Sequence, residues 1–496
     1  MKICIYNSDL VFEALEGETI LSAFGKNGFS IAAPCGGRHI CGKCKVRIIS
    51  GSVLGDVPDM EGLVLACQAV PETDLTIALL HEANTYDGGA YQDLASNPST
   101  TETVSIKRAG VALDIGTTTV SARLVDLDTG SELDTYSALN AQKVFGADVM
   151  SRIGAARSGK TAELFNVINR QTQEILSGFI SKFSLPKIET LTVAANTTML
   201  HLFANTDPSS MGEVPFTPVF LEEKIYAGKD LALSADKVIL LPSISSFIGG
   251  DIVSGLGEID ILKAQETTFF IDIGTNGEMA LFHQGKIYCA SAAAGPALEG
   301  AEISCGTGSI RGAINKVEWT EGKLSFTTIG GAAPVGLCGC GLIDAMALML
   351  DREIIDETGA FSDDDREEFQ IAGSIALVNR DVRQYQLAKS AILSAIKILF
   401  NHAGLELSEI KNVFVAGGLG FYIDQKTAVR TGLLPDEFLN HITVSGNTSL
   451  RGAVKALLDP RFMDYCQKII AISSTLDLAS DPAFMDAFAE NMLFPM

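Results

Sequence analysis

The 496-residue chain has no apolar run of about 18 residues, the length a membrane span needs. Its opening Met1-Lys2-Ile3-Cys4-Ile5-Tyr6 reads directly as a strand, with no basic segment leading into an apolar one. Both features predict a cytoplasmic protein without a membrane partner. Positive charge is scarce: 37 Lys and Arg face 60 Asp and Glu, a net charge of −23. This argues against nucleic acid as a partner, since gripping a phosphate backbone takes a basic face. No Walker loop, GxxxxGK followed by Ser or Thr, occurs anywhere. Cysteine is sparse as well, 10 in the whole chain, too few for a disulfide scaffold. The grouping of Cys35, Cys41, Cys44 and Cys67 near the start favours a metal site in a reducing compartment.

What is present divides into modules, and the length allows about three of them. Residues 1–83 carry strand-like Lys2–Tyr6, Lys45–Ile49 and Asp74–Ala78 around one helical stretch, Thr19–Asn27, an α+β order. Residues 84–108 are polar, rich in Thr, Ser, Asn and Gly and without periodicity, so they read as a flexible linker. Beyond them strands and helices alternate, and Val111-Ala112-Leu113-Asp114-Ile115-Gly116-Thr117 returns as Phe270-Ile271-Asp272-Ile273-Gly274-Thr275. A coarse duplication implies two α/β lobes, 109–265 and 266–496. A strand-like run leaves each glycine turn, Val120–Val125 and Glu278–Phe282, so each loop is expected to be a hairpin tip. The tail from Ser473, with helix-like Ala483–Asn491, is expected only to pack.

Three cysteines share one glycine-rich loop, Cys35-x5-Cys41-x2-Cys44, and Cys67 follows alone. Glycines let such a loop curl around inorganic sulfide and aim backbone N–H groups at it, while Arg38 and Lys43 offset the charge. Zinc sites usually pair two CxxC knuckles, so the pattern predicts a 2Fe-2S cluster on these four thiolates. The loop is one residue longer than the plant-type spacing. His39 lies within it, but four cysteines already complete the ligand set. Cys4, Cys289, Cys305, Cys338, Cys340 and Cys466 read as small buried hydrophobes.

Each Asp-Ile-Gly-Thr loop combines a strand-end carboxylate, a glycine where backbone can approach an anion, and hydroxyl donors. Asp114 and Asp272 are expected to face each other across a cleft and hold Mg²⁺ mainly through water. Gly116, Thr117, Thr118 and Thr119, with Gly274, Thr275, Asn276 and Gly277 opposite, are the expected phosphate grips. A third element, Val413-Phe414-Val415-Ala416 ending in Gly417-Gly418, follows an amphipathic helix predicted over Leu387–His402. Bare backbone there suits a flat base and ribose. This arrangement resembles the ASKHA superfamily of sugar kinases, chaperone ATPases and actin, which implies ATP between two lobes.

With the cysteine loop included, the chain resembles the reductive activators of corrinoid-dependent enzymes. The resemblance runs through Asn140-Ala141-Gln142, Gly146-Ala147-Asp148-Val149, Ala195-Asn196-Thr197-Thr198-Met199, Gly249-Gly250-Asp251-Ile252, Ala294–Gly300 and Gly336–Asp344. It implies a β-grasp ferredoxin module followed by an actin-like ATPase. It also implies a function: ATP-dependent passage of one electron from the cluster to a corrinoid protein of a methyltransferase system, returning inactive Co(II) to Co(I). A low-potential donor, a ferredoxin or flavodoxin, would reload the cluster. Plant-type clusters lie near about −400 mV. The cobalt couple is expected to be lower still, and each 100 mV of gap costs about 2.3 kcal/mol per electron. Within this scheme Asp251 and Glu299 are candidates to orient the attacking water, Asn196 and Glu278 are equal candidates for a catalytic role, and Gly339 and Gly341 border the nucleotide. The insertions found in longer members are absent, so no dimerisation mode carries over and a homodimer stays open. Two rivals remain: a small-molecule kinase with a fused ferredoxin, and a nucleotide-gated redox sensor.

Overall fold

The computed structural model of the protein describes residues 1–6, 11–26, 31, 39, 44–60, 62–79, 106–363 and 365–495. Most of the 84–108 linker, together with Cys35 and Cys41, lies outside these residues.

The first module contains β1 (Lys2–Ile5), β2 (Val11–Glu13), α1 (Ile20–Lys26), β3 (Lys45–Ser50), β4 (Val53–Leu54), β5 (Leu63–Leu65), β6 (Val70–Pro71) and β7 (Leu75–Leu79). Among the described residues its main sheet has the order β2-β1-β7-β3-β5, with β1 and β7 parallel at its centre. Alternate residues Ile3, Val46, Leu75 and Ile77 are buried against Ile20, Leu21 and Phe24 of α1. The period of two along the strands thus meets one apolar stripe of a helix, as a β-grasp fold requires.

The first lobe holds β8 (Ala109–Ile115), β9 (Thr119–Asp126), β10 (Glu132–Leu139), α2 (Val149–Ala155), α3 (Thr161–Phe183), β11 (Ile188–Ala195), α4 (Thr197–Phe203), β12 (Lys224–Ala227), β13 (Ala235–Leu240) and α5 (Gly250–Glu258). The second begins with β14 (Thr268–Ile273), β15 (Gly277–His283), β16 (Lys286–Ala292), β17 (Ala313–Thr320), β18 (Lys323–Thr328), β19 (Gly336–Leu337) and α6 (Gly339–Asp351). It continues through β20 (Glu368–Ala372), β21 (Ile375–Val378), α7 (Asn379–Ala403), β22 (Asn412–Ala416), α8 (Gln425–Arg430) and β23 (Ile442–Gly446). Last come α9 (Thr448–Leu458), α10 (Phe462–Ala471), β24 (Ser473–Thr475) and α11 (Pro482–Glu490).

The duplication is explicit in the sheets. The order β10-β9-β8-β11-β13 in one lobe matches β16-β15-β14-β22-β23 in the other, with antiparallel and parallel pairings in the same places. Strand β8, buried on two faces, is a near-continuous apolar run, and β11 is buried throughout from Leu191 onward. Helix α9, although late in the chain, packs on β8 and β11 of the first lobe and against α5. Glycines permit that approach: a Cβ on Gly452 would lie 2.2 Å from the Ser254 carbonyl oxygen.

Helix α7 starts at Asn379, eight residues before the amphipathic stripe announces it. Its polar first turn is held from outside, since Asp381 accepts from the N–H groups of Val378 (3.1 Å) and Ser304 (2.7 Å). The tail does pack, with Leu478 and Phe494 in the core of the second lobe and Arg430 donating to the Pro495 carbonyl at 2.8 Å. No helix among the described residues is long and apolar enough to cross a membrane.

Candidate nucleotide cleft and cluster module

Strands β8 and β9 pair through Asp114 with Ser121 and Ile115 with Val120, and the Gly116 N–H closes the loop on the Thr119 carbonyl at 2.9 Å. In the second lobe Asp272 pairs with Glu278 and Ile273 with Gly277, and Gly274 N–H reaches the Asn276 carbonyl at 3.0 Å. Both loops are hairpin tips, and both open into one cleft with a cavity of about 170 Å³ that is open to solvent at its mouth. Asp114, Asp251, Asp272, Glu278 and Glu299 all line it, together with Thr117–Thr119, Thr275 and Asn276.

The first loop rests on a polar scaffold. Asn140 Nδ2 donates to the Gly116 carbonyl at 2.8 Å, and Asn140 Oδ1 caps the turn that follows by accepting from Gln142 N–H. Behind the loop, the fully buried Arg152 donates to the carbonyls of Thr117 (2.5 Å) and Gly146 (3.1 Å). Burial pushes the pKa of its guanidinium down to about 9. Gly146 is needed there, because a Cβ would fall 2.3 Å from that of Ser151. Asn196 caps α4 by accepting from Met199 N–H and donates to Thr117 Oγ1 at 3.2 Å. The motifs around residues 140, 146 and 196 are therefore supports of the first Asp-Ile-Gly-Thr loop.

Two donors that the sequence did not announce hold Asp114. Asn447 Nδ2 reaches its Oδ2 and Ser449 Oγ its Oδ1, each at 2.8 Å, from the start of α9. Their only sequence signal is that of a helix cap. Asp251 sits in the first turn of α5. Asp272 lies against Gly417, where a Cβ would be 2.3 Å from its Oδ1, and Gly417 adopts a φ of +87°. Glu299, expected beside the attacking water, has both oxygens engaged by the two Asp-Ile-Gly-Thr loops. Its Oε2 accepts from Thr118 Oγ1 (2.5 Å) and Thr275 Oγ1 (2.7 Å), and its Oε1 accepts from Thr275 N–H (3.0 Å). It straps the two lobes together.

The glycines divide. Gly116, Gly274, Gly339, Gly417 and Gly418 border the cleft. Gly341 does not; it lets α6 pack on β17, its Cβ position lying 2.4 Å from the Ile314 carbonyl oxygen. Gly277 likewise sits behind its loop against Ile392. The thiols also depart from the expectation of uniform burial. Cys289, Cys338, Cys340 and Cys466 are buried, whereas Cys4 and Cys305 are partly exposed. A hydrogen bond from Cys340 and backbone N–H groups at the start of α6 pull the Cys338 thiol down to about 7.

Removal from water dominates the electrostatics of the cleft. Burial first, then the Asp114 charge, pushes Asp251 up to about 7. Burial and the charges of Asp251, Asp114 and Glu299 push Asp272 up to about 8. Glu278 is raised well above the carboxylate range by burial, Asp251, Asp272 and Glu299. Asp114 is raised by burial too, but Asn447 and Ser449 offset part of it. Among the described residues no three His, Cys, Asp or Glu side chains are placed to hold a metal ion by themselves. Hard carboxylate oxygens with room for water and phosphate nonetheless fit Mg²⁺, which binds through one or two carboxylates.

In the first module Cys44 and Cys67 are buried in the same core, and Ala66 N–H donates to the Cys44 carbonyl at 2.7 Å. His39 is exposed. Two of the four expected cluster thiols thus stand at one end of the sheet.

Comparison with known proteins agrees across all three parts. Residues 5–72 match the 2Fe-2S iron-sulfur cluster binding domain, residues 109–264 the RACo middle region, and residues 266–496 the C-terminal ASKHA domain of RACo. The corrinoid activation enzyme RamQ of Eubacterium limosum is 33% identical over 417 residues, covering 78% of this chain and 70% of that protein. A reductase of the Co(II) methylated amine-specific corrinoid protein from Methanosarcina barkeri is 28% identical over 389 residues, covering 72% and 71%. The solved structure of a reductive activator for a corrinoid, iron-sulfur protein superposes with a TM-score of 0.74 at 29% identity, covering 100% of this chain and 98% of that one.

Proposed function

Because the chain belongs to the family of reductive activators of corrinoid proteins, we propose that it returns the cobalt of a methyltransferase corrinoid protein from Co(II) to Co(I) by one electron, in a step driven by ATP. The observation that carries the ATP dependence is the convergence of both phosphate loops on one cleft in the chain that also bears the ferredoxin module.

Cys35, Cys41, Cys44 and Cys67 would hold the 2Fe-2S cluster, which supplies one-electron transfer when bound. Asp114 and Asp272 would organise Mg²⁺ through water. Thr117–Thr119, Thr275 and Asn276 would donate hydroxyl and backbone hydrogens to the phosphates, with Arg152 holding the first loop in place from behind. Gly339, Gly417 and Gly418 leave room for base and ribose. Asp251, free of the strap that occupies Glu299, is the better placed of the two to orient water. A phosphate entering between Thr118 and Thr275 competes with Glu299 for the same hydroxyls. Nucleotide therefore exchanges one interlobe bridge for another, and a ligand that favours one closure state shifts the population toward it. An upstream ferredoxin or flavodoxin would supply the electron.

The test is the visible spectrum of a Co(II) corrinoid protein mixed anaerobically with this protein and a low-potential reductant. Co(I) formed only with Mg-ATP supports the reading; Co(I) formed equally without nucleotide refutes its ATP dependence. Cys41→Ser should abolish Co(I) formation while ATP turnover persists, whereas a kinase would keep phosphoryl transfer to a small hydroxyl compound.

A further inference from the structure

The cleft gathers more carboxylates than one Mg²⁺ takes as ligands. Five carboxylates line it, those of Asp114, Asp251, Asp272, Glu278 and Glu299, and among the described residues no Lys, Arg or His side chain does. A triphosphate adds further negative charge to this set.

Four of the five carboxylates have identifiable roles or donors; Glu278 stands apart. It is 9% exposed, it lines the cleft, and no hydrogen-bond donor reaches its carboxylate among the described residues. An ionised group so placed is costly unless paired. Its position is set by the hairpin, since Glu278 is the direct cross-strand partner of Asp272 and both side chains emerge on one face. In the first lobe the residue opposite Asp114 is Ser121, a neutral hydroxyl. The second loop has thus acquired an acid pair where the duplicated plan has one acid.

We infer that Asp272 and Glu278 together hold a second divalent cation, which enters with a nucleoside triphosphate and shares Asp272 with the ion organised by Asp114. The inference rests on the nucleotide reading of the cleft. Two carboxylates, phosphate oxygens and water make an ordinary donor set for a hard cation. A carboxylate shared between two ions about 3.5–4 Å apart is the arrangement by which two-metal sites clamp a phosphoryl group.

The experiment titrates the full-length protein with Mn²⁺ in the presence of a non-hydrolysable ATP analogue. Free Mn²⁺ is read by electron paramagnetic resonance and bound analogue by equilibrium dialysis of the same samples. Two Mn²⁺ per bound nucleotide are expected for the wild type and one for Glu278→Gln. One Mn²⁺ per bound nucleotide in the wild type overturns the inference without touching the nucleotide reading, and this count needs no variant. Two in the Glu278→Gln protein also overturn it. Absence of bound analogue at millimolar concentration overturns the nucleotide reading itself.

Discussion

The two Asp-Ile-Gly-Thr loops have the same motif and the same place in their sheets, yet they occupy opposite electrostatic situations. Asp114 is anchored by Asn447 and Ser449 and faces Ser121. Asp272 receives no hydrogen bond among the described residues, faces Glu278, and is pushed up to about 8. One carboxylate is held by donors from another element and the other is not. Duplication kept the backbone and reassigned the charges.

The largest effect should come from Asp272→Asn. On the proposed function, loss of the carboxylate that would organise Mg²⁺ is expected to lower nucleotide-dependent activity by about 10²–10³-fold. The nucleotide-free protein should meanwhile melt higher, because a carboxylate repelled by Asp251 and Asp114 is gone. Activity within tenfold of wild type would remove Asp272 from the site. Asp114→Asn sharpens the contrast by doing the reverse to stability. An amide cannot accept both Asn447 and Ser449 as a carboxylate does, and urea unfolding should show a loss of about 1–3 kcal/mol. Equal behaviour of the two variants would break the comparison.

A pH series separates the loops more gently. Asp251 and Asp272 are raised to about 7 and about 8 in the folded state, against about 3.9 for an unfolded aspartate. The folded nucleotide-free protein then binds more protons than the unfolded chain, so their contribution to stability is lost as pH rises from about 4 to about 8 and is level above that. Mg-nucleotide should flatten the decline, and Asp272→Asn should remove its upper part; melting temperatures across the range test both. The smallest expected effect is that of Glu299→Gln. Its bonds from Thr118 and Thr275 weaken from charge-assisted to neutral, a change of about 1 kcal/mol. Calorimetry should show nucleotide binding about fivefold tighter, since phosphate no longer displaces a carboxylate. Weaker binding would mean that Glu299 serves the nucleotide directly.

Much of this architecture was legible because it is local. The glycine turns at Gly116 and Gly274 close within a few residues, and the strand runs on either side carry their own apolar patterns. Gly417 was readable as bare backbone for a base and ribose; its close approach to Asp272 was not. Long-range contacts were not legible. Asn447 and Ser449 reach Asp114 only because α9 leaves its own lobe to pack on the other sheet. Gly341 carries the same type of signal as Gly339 but serves packing, and nothing in the run Cys338–Gly341 tells the two apart. The polar start of α7 hid its first turns, because the bonds that hold Asp381 come from Val378 and from the distant Ser304.

By itself the sequence determined the order of the modules, the hairpin tips that carry the carboxylates, and the strongly acidic balance, since each depends on neighbouring residues or on composition. Only the tertiary structure decided which carboxylate is satisfied, which is strapped across the cleft and which is left bare. Acidity and hydrogen bonding depend on distance and on exclusion from water, and two identical tetrapeptides acquire different chemistry when different elements close over them.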